Sequence, residues 1–300
     1  MNTPIHKLQR TCLFVFLIGL SGIMFSSCAK TCEDEPEPGQ SLGIASIPNL
    51  RDVGGYKTKD GSTVVRELVY RSNQLYKISE SDMIKLAQLN LKYDFDLRTE
   101  EERNAKPDEL PVGVKNVWLD VMASNPGDGP AVLAQLLQNP VLANAKLGDG
   151  KVDLMFMDSY RKFVSMPSAL IAFRELFLSL GDQNQLPALF HCTTGKDRTG
   201  LAAAVLLTLL EVPVDTVMKD YLRSNDYILP MYKTVIDDFV AAGGQASIPQ
   251  SIYGVKEEYL NAAFDELTTK YVTIERYFSE GLGINTAQQQ AIKDLYLTKK

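Results

Sequence analysis

Leu186-Pro187-Ala188-Leu189-Phe190-His191-Cys192-Thr193-Thr194-Gly195-Lys196-Asp197-Arg198-Thr199-Gly200, continued by the apolar run Leu201–Leu210, is the stretch that decides the fold. Leu186–Phe190 is short and apolar, the length of a buried strand, and the run after Gly200 is long enough for a buried helix. Between them lies a polar loop with Cys192 at its start, Arg198 at its end and Gly195 where the backbone must turn tightly. A loop of this kind can point successive backbone N–H groups inward, and the helix after it adds its positive end. Thr193–Arg198 therefore reads as an anion cradle, and both effects favour a thiolate at Cys192.

The same alternation extends outward from the loop. Val64–Tyr70, Tyr93–Leu97 and Val114–Leu119 read as strands. Ser79 reads as the N-cap of a helix carrying Met83, Leu86 and Ala87 on one face, and helices are expected over 151–164 and 167–180. Beyond Pro213 no strand is expected, and 213–223, 230–241, 254–269 and 284–298 look helical. This order implies an α/β protein of three layers: a central, mostly parallel sheet flanked by helices, with a helical C-terminal region. Residues 124–150 interrupt the order with Gly/Pro-rich flanks around a small apolar helix, either a mobile cover over the site or a passive surface insertion.

The N-terminus reads as an export signal. Lys7 and Arg10 precede an apolar run from Cys12 to Phe25, shorter than the roughly 20 residues that span a bilayer. Phe25-Ser26-Ser27-Cys28 resembles a bacterial lipobox, which implies cleavage before Cys28 and lipidation of that cysteine. The expected organisation is a signal peptide at 1–27, an acidic Pro-rich tether at 28–43 and one folded domain at 44–300, held at the membrane of the cell envelope by the anchor. Removing residues 1–27 takes away Lys7 and Arg10 and no acidic group, so the net charge falls from −6 to −8. Such an acidic chain is a poor candidate for nucleic-acid binding. The histidines are His6 and His191 alone, which rules out a multi-histidine zinc site or an HExxH metalloprotease. Cys12, Cys28, Cys32 and Cys192 are too few and too scattered for a disulfide scaffold.

Residues 191–200 carry the pattern HCxxGxxR[ST]G and so resemble the catalytic loop of the Cys-dependent protein tyrosine and dual-specificity phosphatases. Asn49–Gly55, Tyr70-Arg71-Ser72, Asp96-Leu97-Arg98, Tyr221–Asp226 and Gly254–Leu260 extend the resemblance to one bacterial family, that of the secreted mycobacterial protein tyrosine phosphatase B and related tyrosine and lipid phosphatases. The likeness runs over about 45–298 and implies a metal-independent phosphate-monoester hydrolase working through a phosphocysteine, with no cofactor. It casts Cys192 as nucleophile and Arg198 as the fork that grips phosphate oxygens. Thr193, Thr194, Gly195, Lys196 and Thr199 complete the phosphate site, with Thr199 offering its hydroxyl to the sulfur.

The general acid is Asp197, like the loop aspartate of related lipid phosphatases, or else Asp120, just after the strand 114–119. His191 is expected to order the loop, and Tyr221–Asp226 to pack near it. Lys196 either favours substrates of higher charge or points to solvent. Arg51, Arg71 and Arg98 either add positive charge around the pocket or form structural pairs with Asp52 and Asp96. The substrates implied are phosphorylated proteins or peptides, or phosphoinositides. Two other readings compete: an inactive phosphate-binding module, which would normally lose Cys192 or Arg198, and an arsenate reductase, which needs resolving cysteines beyond Cys32.

Overall fold

The computed structural model describes residues 36–125, 133 and 135–298. Five strands form one sheet: β1 (Arg51–Asp52), β2 (Val69–Ser72), β3 (Tyr93–Asp96), β4 (Lys115–Trp118) and β5 (Ala188–His191), in the spatial order β1-β2-β5-β3-β4. Only the edge pair β1–β2 is antiparallel. β5 lies in the centre, and Ala188, Leu189 and Phe190 are apolar as fits a strand covered on both faces. Ser72 of β2 and Asp96 of β3 stand level with His191 at the end of β5. Three parallel strands thus end together, and the crevice beyond their carboxyl ends is where α/β folds place ligands.

The strand expected at Val64–Tyr70 begins only at Val69. The backbone turns first at Glu67, which adopts a positive φ of 63° and donates its N–H to Asp52 Oδ2. Val64 instead bridges to Leu297 near the C-terminus. The other expected strands stand within a residue or two of their reading.

Helix α1 (Glu80–Ala87) starts where expected: Ser79 accepts the N–H of Asp82. α2 (Glu100–Ala105) has no buried residue, so apolar periodicity could not announce it. It is held by a capping box between Thr99 and Glu102. α3 is Pro140–Leu147, α4 Lys151–Ser165 and α5 Pro167–Leu180. α6 (Arg198–Leu209) is apolar all round and buried almost throughout, as a helix enclosed by other elements must be. Deep burial of a leucine such as Leu206 contributes roughly 2 kcal/mol. The remainder is helical, as anticipated: α7 (Val214–Leu222), α8 (Ser224–Ile228), α9 (Lys233–Ala241), α10 (Ser247–Tyr253), α11 (Glu257–Tyr271) and α12 (Thr286–Tyr296). α4 and α11 pack through Phe156 stacked on Tyr259, ring centroids 5.1 Å apart.

The folded unit runs from Pro36, ahead of the boundary expected at 44. Gly39 is buried, Ser41 bridges to Arg51, and Arg66 donates to the carbonyl of Pro36. The leader, Cys28 and the first part of the tether lie outside the described residues.

Candidate active site

Three carbonyls of the loop after β5 are pulled outward by three separate donors. The backbone N–H of Gln74 takes Thr193 O at 3.2 Å, Asn49 Nδ2 takes Thr194 O at 3.0 Å, and Arg71 Nη2 takes Gly195 O at 2.8 Å. In a trans peptide the next N–H points the opposite way. The amides of Thr194, Gly195 and Lys196 are therefore turned to the inside of the loop. Gly195 sits at φ +70°, and a Cβ there would lie 2.2 Å from Ser72 O, so only glycine fits. Gly200 has a second reason: a Cβ would press on the ring of Tyr221 at 3.1 Å. Asn49 and Arg71 belong to motifs whose role the sequence left open, and their work is to shape the loop.

Arg71 is part of a base-rich buried cluster. Arg51 and Arg71 share one carboxylate, Asp220, at 2.7 Å each. Tyr56 donates to the same carboxylate at 2.8 Å, and Arg51 reaches Ser224 Oγ at 3.2 Å. Burial and the neighbouring Arg71 pull Arg51 down to about 10 against the opposing charge of Asp220. The expected partner Asp52 is not involved. It accepts the N–H groups of Gly54 and Glu67 instead, because β1 turns its carboxylate to the local backbone.

On the other side of β5 lies an acid-rich cluster. Arg98 bonds Asp96 through Nε and Nη2, both at 2.8 Å, and Asp108 at 2.7 Å. The Arg98–Asp96 pair was expected; Asp108 was not. His191 Nε2 stands 3.4 Å from Asp94 and 3.3 Å from Asp108, while Nδ1 faces the carbonyl of Cys192 at 3.2 Å. Burial opposes a charge on His191, but Asp94 and Asp108 overcome it and raise its proton affinity well above the ordinary imidazole range. The two carboxylates thus favour a proton on His191, whose ring stands beneath the carbonyl of Cys192. Asp94, Asp108 and His191 also offer three ligand atoms within 4.8 Å of one another. Arg98 already occupies Asp108.

Arg198 is held by Glu102, the capping-box residue of α2. Nη1 and Nη2 meet the two carboxylate oxygens at 2.7 and 2.8 Å, and Thr193 Oγ1 donates to Glu102 at 2.5 Å. Burial works against the Glu102 carboxylate, yet Arg198 and Thr193 hold it well below the usual range. The pair uses the end of the guanidinium and leaves Nε, buried and without a partner, on the free side edge. Thr199 Oγ1 is likewise buried without a partner. Sequence reading missed Glu102, although Thr99-Glu100-Glu101-Glu102 carries the capping-box spacing.

Asp197 is buried and accepts Lys196 Nζ and Tyr160 Oη on Oδ1, both at 2.9 Å. Lys196 does not point to solvent: it is 1% exposed and its ammonium lies over the ring of Phe156 at 4.7 Å. A cavity of about 280 Å³ opens over the loop, lined by Thr193, Thr194, Asp197, Arg198, Tyr232 and Tyr253 among others. Its outer wall is the stacked pair Tyr232–Tyr253, centroids 3.9 Å apart. No described residue of 124–150 lines it, and the described wall comes from the region of α8–α10. Residues 126–132 and 134 of that segment lie outside the described residues. α3 packs against the α9–α10 connection through Asn144, which bonds Gly243 O and Gln245 N. Asp120 is half-buried, accepts the N–H of Met122 at 2.8 Å and is not among the cavity's lining. Burial raises its carboxyl above the ordinary value. A larger cavity of about 730 Å³ lies at the opposite end of the strands, by Tyr93 and Lys115, away from the loop.

Known proteins align with this arrangement over nearly its full length. The model of the tyrosine phosphatase family matches residues 42–298. A protein of Cupriavidus necator, named among the tyrosine-protein phosphatases, is 27% identical over 82% of this chain and 86% of its own. The triple specificity protein phosphatase PtpB of Mycobacterium tuberculosis is 26% identical over 85% of this chain and 100% of its own. A tyrosine-protein phosphatase of Nostoc commune is 29% identical over 53% of this chain and 48% of its own. With the folded unit matched almost end to end and the loop seated at the carboxyl ends of β2, β5 and β3, the chain belongs to the tyrosine phosphatase family and is a phosphoric monoester hydrolase.

Proposed function

We propose that the chain dephosphorylates phosphotyrosine in proteins, with dual specificity for phosphoserine or phosphothreonine, through a phosphocysteine at Cys192. The observation that carries this is the loop itself: amides turned inward by Asn49, Arg71 and Gln74, and Arg198 braced with its Nε edge free. The Cys192 thiolate attacks phosphorus as the bond to the leaving oxygen breaks, and Asp197 gives that oxygen its proton. Arg198 and the inward amides take the charge of the equatorial oxygens. A water then attacks the phosphocysteine, Asp197 takes its proton, and the sulfur leaves as a thiolate with the Thr199 hydroxyl beside it. Asp197 is favoured over Asp120 as the acid because it lines the cavity and Asp120 does not.

Lys196, the loop cation that would favour a more highly charged phosphoinositide, has its ammonium engaged by Asp197 and Phe156, which supports the protein-phosphatase reading first. Cys192→Ser should cut turnover by about three orders of magnitude or more while inorganic phosphate still binds. A 32P-labelled phosphoenzyme should be trapped on acid quench of the parent protein. Substantial turnover by the Ser variant, or no labelled intermediate under single-turnover conditions, overturns the mechanism. Turnover of phosphoinositides ahead of phosphotyrosine peptides overturns the substrate class. We also propose export and lipid anchoring at Cys28. Mass spectrometry of the membrane fraction should find an acylated N-terminal Cys28, and a mature protein starting elsewhere without an acyl chain refutes it.

A further inference from the structure

Behind Asp197 two tyrosines stand in line. Tyr160, on α4, donates its hydroxyl to Asp197 Oδ1 at 2.9 Å, and Tyr221, on α7, donates to Tyr160 at 2.7 Å. Both rings are 0% exposed and meet edge-on, with centroids 6.1 Å apart. Tyr160 is packed from its other sides by Phe163 and Tyr259. The direction of this chain of bonds is fixed by chemistry. Lys196 is a donor only, so Oδ1, which meets Lys196 and Tyr160 together, serves as an acceptor. Tyr160 must then donate to it, and Tyr221 must donate to Tyr160. Burial raises both hydroxyls well above the ordinary phenol range, so both remain protonated donors.

The consequence is an asymmetric carboxyl. Both bonds to Asp197 fall on Oδ1, and among the described residues none reaches Oδ2. We propose that Tyr160, backed by Tyr221, is a positioning residue that fixes Asp197 so that its free oxygen, Oδ2, carries the proton to the leaving group. This rests on the reading of Asp197 as the general acid. Two donors from different elements, the loop's own Lys196 and Tyr160 of α4, hold the carboxyl against rotation. Loss of Tyr160's bond leaves Lys196 alone to hold it. A well-placed acid contributes about a hundredfold or more to cleavage of a basic leaving group and little to cleavage of one that departs unaided.

The test compares leaving groups of different basicity in the full folded chain. Tyr160→Phe keeps the ring and its packing and removes only the hydroxyl. It should slow phenyl phosphate about tenfold and p-nitrophenyl phosphate by less than about twofold, with inhibition by inorganic phosphate unchanged. Tyr221→Phe should move the same ratio in the same direction by a smaller factor. Tyr259→Phe is the packing control, since Tyr259 lies against Tyr160 but gives its hydroxyl to Asp153; its ratio should equal that of the parent. Asp197→Asn run in parallel separates the two readings. If Asp197→Asn loses phenyl phosphate selectively while Tyr160→Phe leaves the ratio unchanged or slows both esters alike, the positioning role is wrong and the acid stands. If Asp197→Asn shows no selective loss, the acid assignment falls and the role of Tyr160 falls with it.

Discussion

The two polar clusters on either side of β5 solve opposite problems. The acid-rich one gathers Asp94, Asp96 and Asp108 against Arg98 and His191, all inside the fold. The base-rich one sets Arg51 and Arg71 against the single carboxylate of Asp220. Unpaired charge in a protein interior is costly, so each cluster must be completed. The first is completed by Arg103, whose Nε reaches Asp96 at 3.2 Å, and by the pull of its carboxylates for a proton on His191. The second keeps an excess of positive charge, and Nε of both arginines has no partner. That excess lies where Arg71 touches the carbonyl of Gly195 in the loop after β5. The comparison teaches that one cluster is closed on itself while the other turns its surplus charge toward the loop, which on the proposed function is the phosphate side.

The largest effect should come from breaking the base-rich side. Asp220→Asn leaves two buried guanidinium groups without a carboxylate and should cost about 3–5 kcal/mol in urea unfolding. A loss below about 1 kcal/mol would mean that Asp220 is not what holds them. On the acid-rich side the signature is pH. His191 binds its proton more tightly folded than unfolded. Its stabilisation is complete below the unfolded value of about 6.5 and fades as pH rises toward the folded value. Stability should therefore fall as pH rises above about 6.5, by at most about 1.4 kcal/mol per pH unit, until the folded value is passed. His191→Gln should flatten that slope, and an equally steep slope in the variant assigns the proton elsewhere.

Arg71→Met sharpens the comparison on the ligand side. It removes the excess charge and the grip on Gly195, and should weaken inhibition by inorganic phosphate about tenfold, or about 1.4 kcal/mol. Unchanged inhibition would make the base-rich cluster purely structural. The smallest effect lies outside both clusters and sets their scale. Val272 has φ +70° with Thr273 N bonded to Tyr271 O, a γ-turn that strains a β-branched residue. Val272→Gly should raise stability by about 1 kcal/mol and leave activity as it is, which thermal unfolding and a p-nitrophenyl phosphate assay would check.

Much of the architecture was legible because apolar periodicity survives in one dimension. β5 and α6 bury nearly everything they carry, and α4 and α5 each bury one apolar face, so their composition announces them. α2 buries nothing and was invisible to that signal. The N-terminal cap at Ser79 was readable because one side chain and one backbone N–H three residues on define it. The start of β2 was not, because a turn at Glu67 depends on Asp52, far away in sequence.

The sequence by itself determined the chemistry of the loop, since Cys192, Gly195, Arg198 and Thr199 stand at spacings that the backbone between a strand and a helix dictates. It also determined the fold class, through the alternation of strands and helices. Only the tertiary structure decided the partners. Arg51 lies beside Asp52 in the chain yet bonds Asp220; Arg198 meets Glu102, Asp197 meets Tyr160, and His191 meets Asp94 and Asp108. The physical reason is that an ion pair in a buried site is set by which strand ends and helix faces the sheet brings level. That register depends on contacts spread over the whole chain, whereas a loop's own conformation depends on the few residues within it.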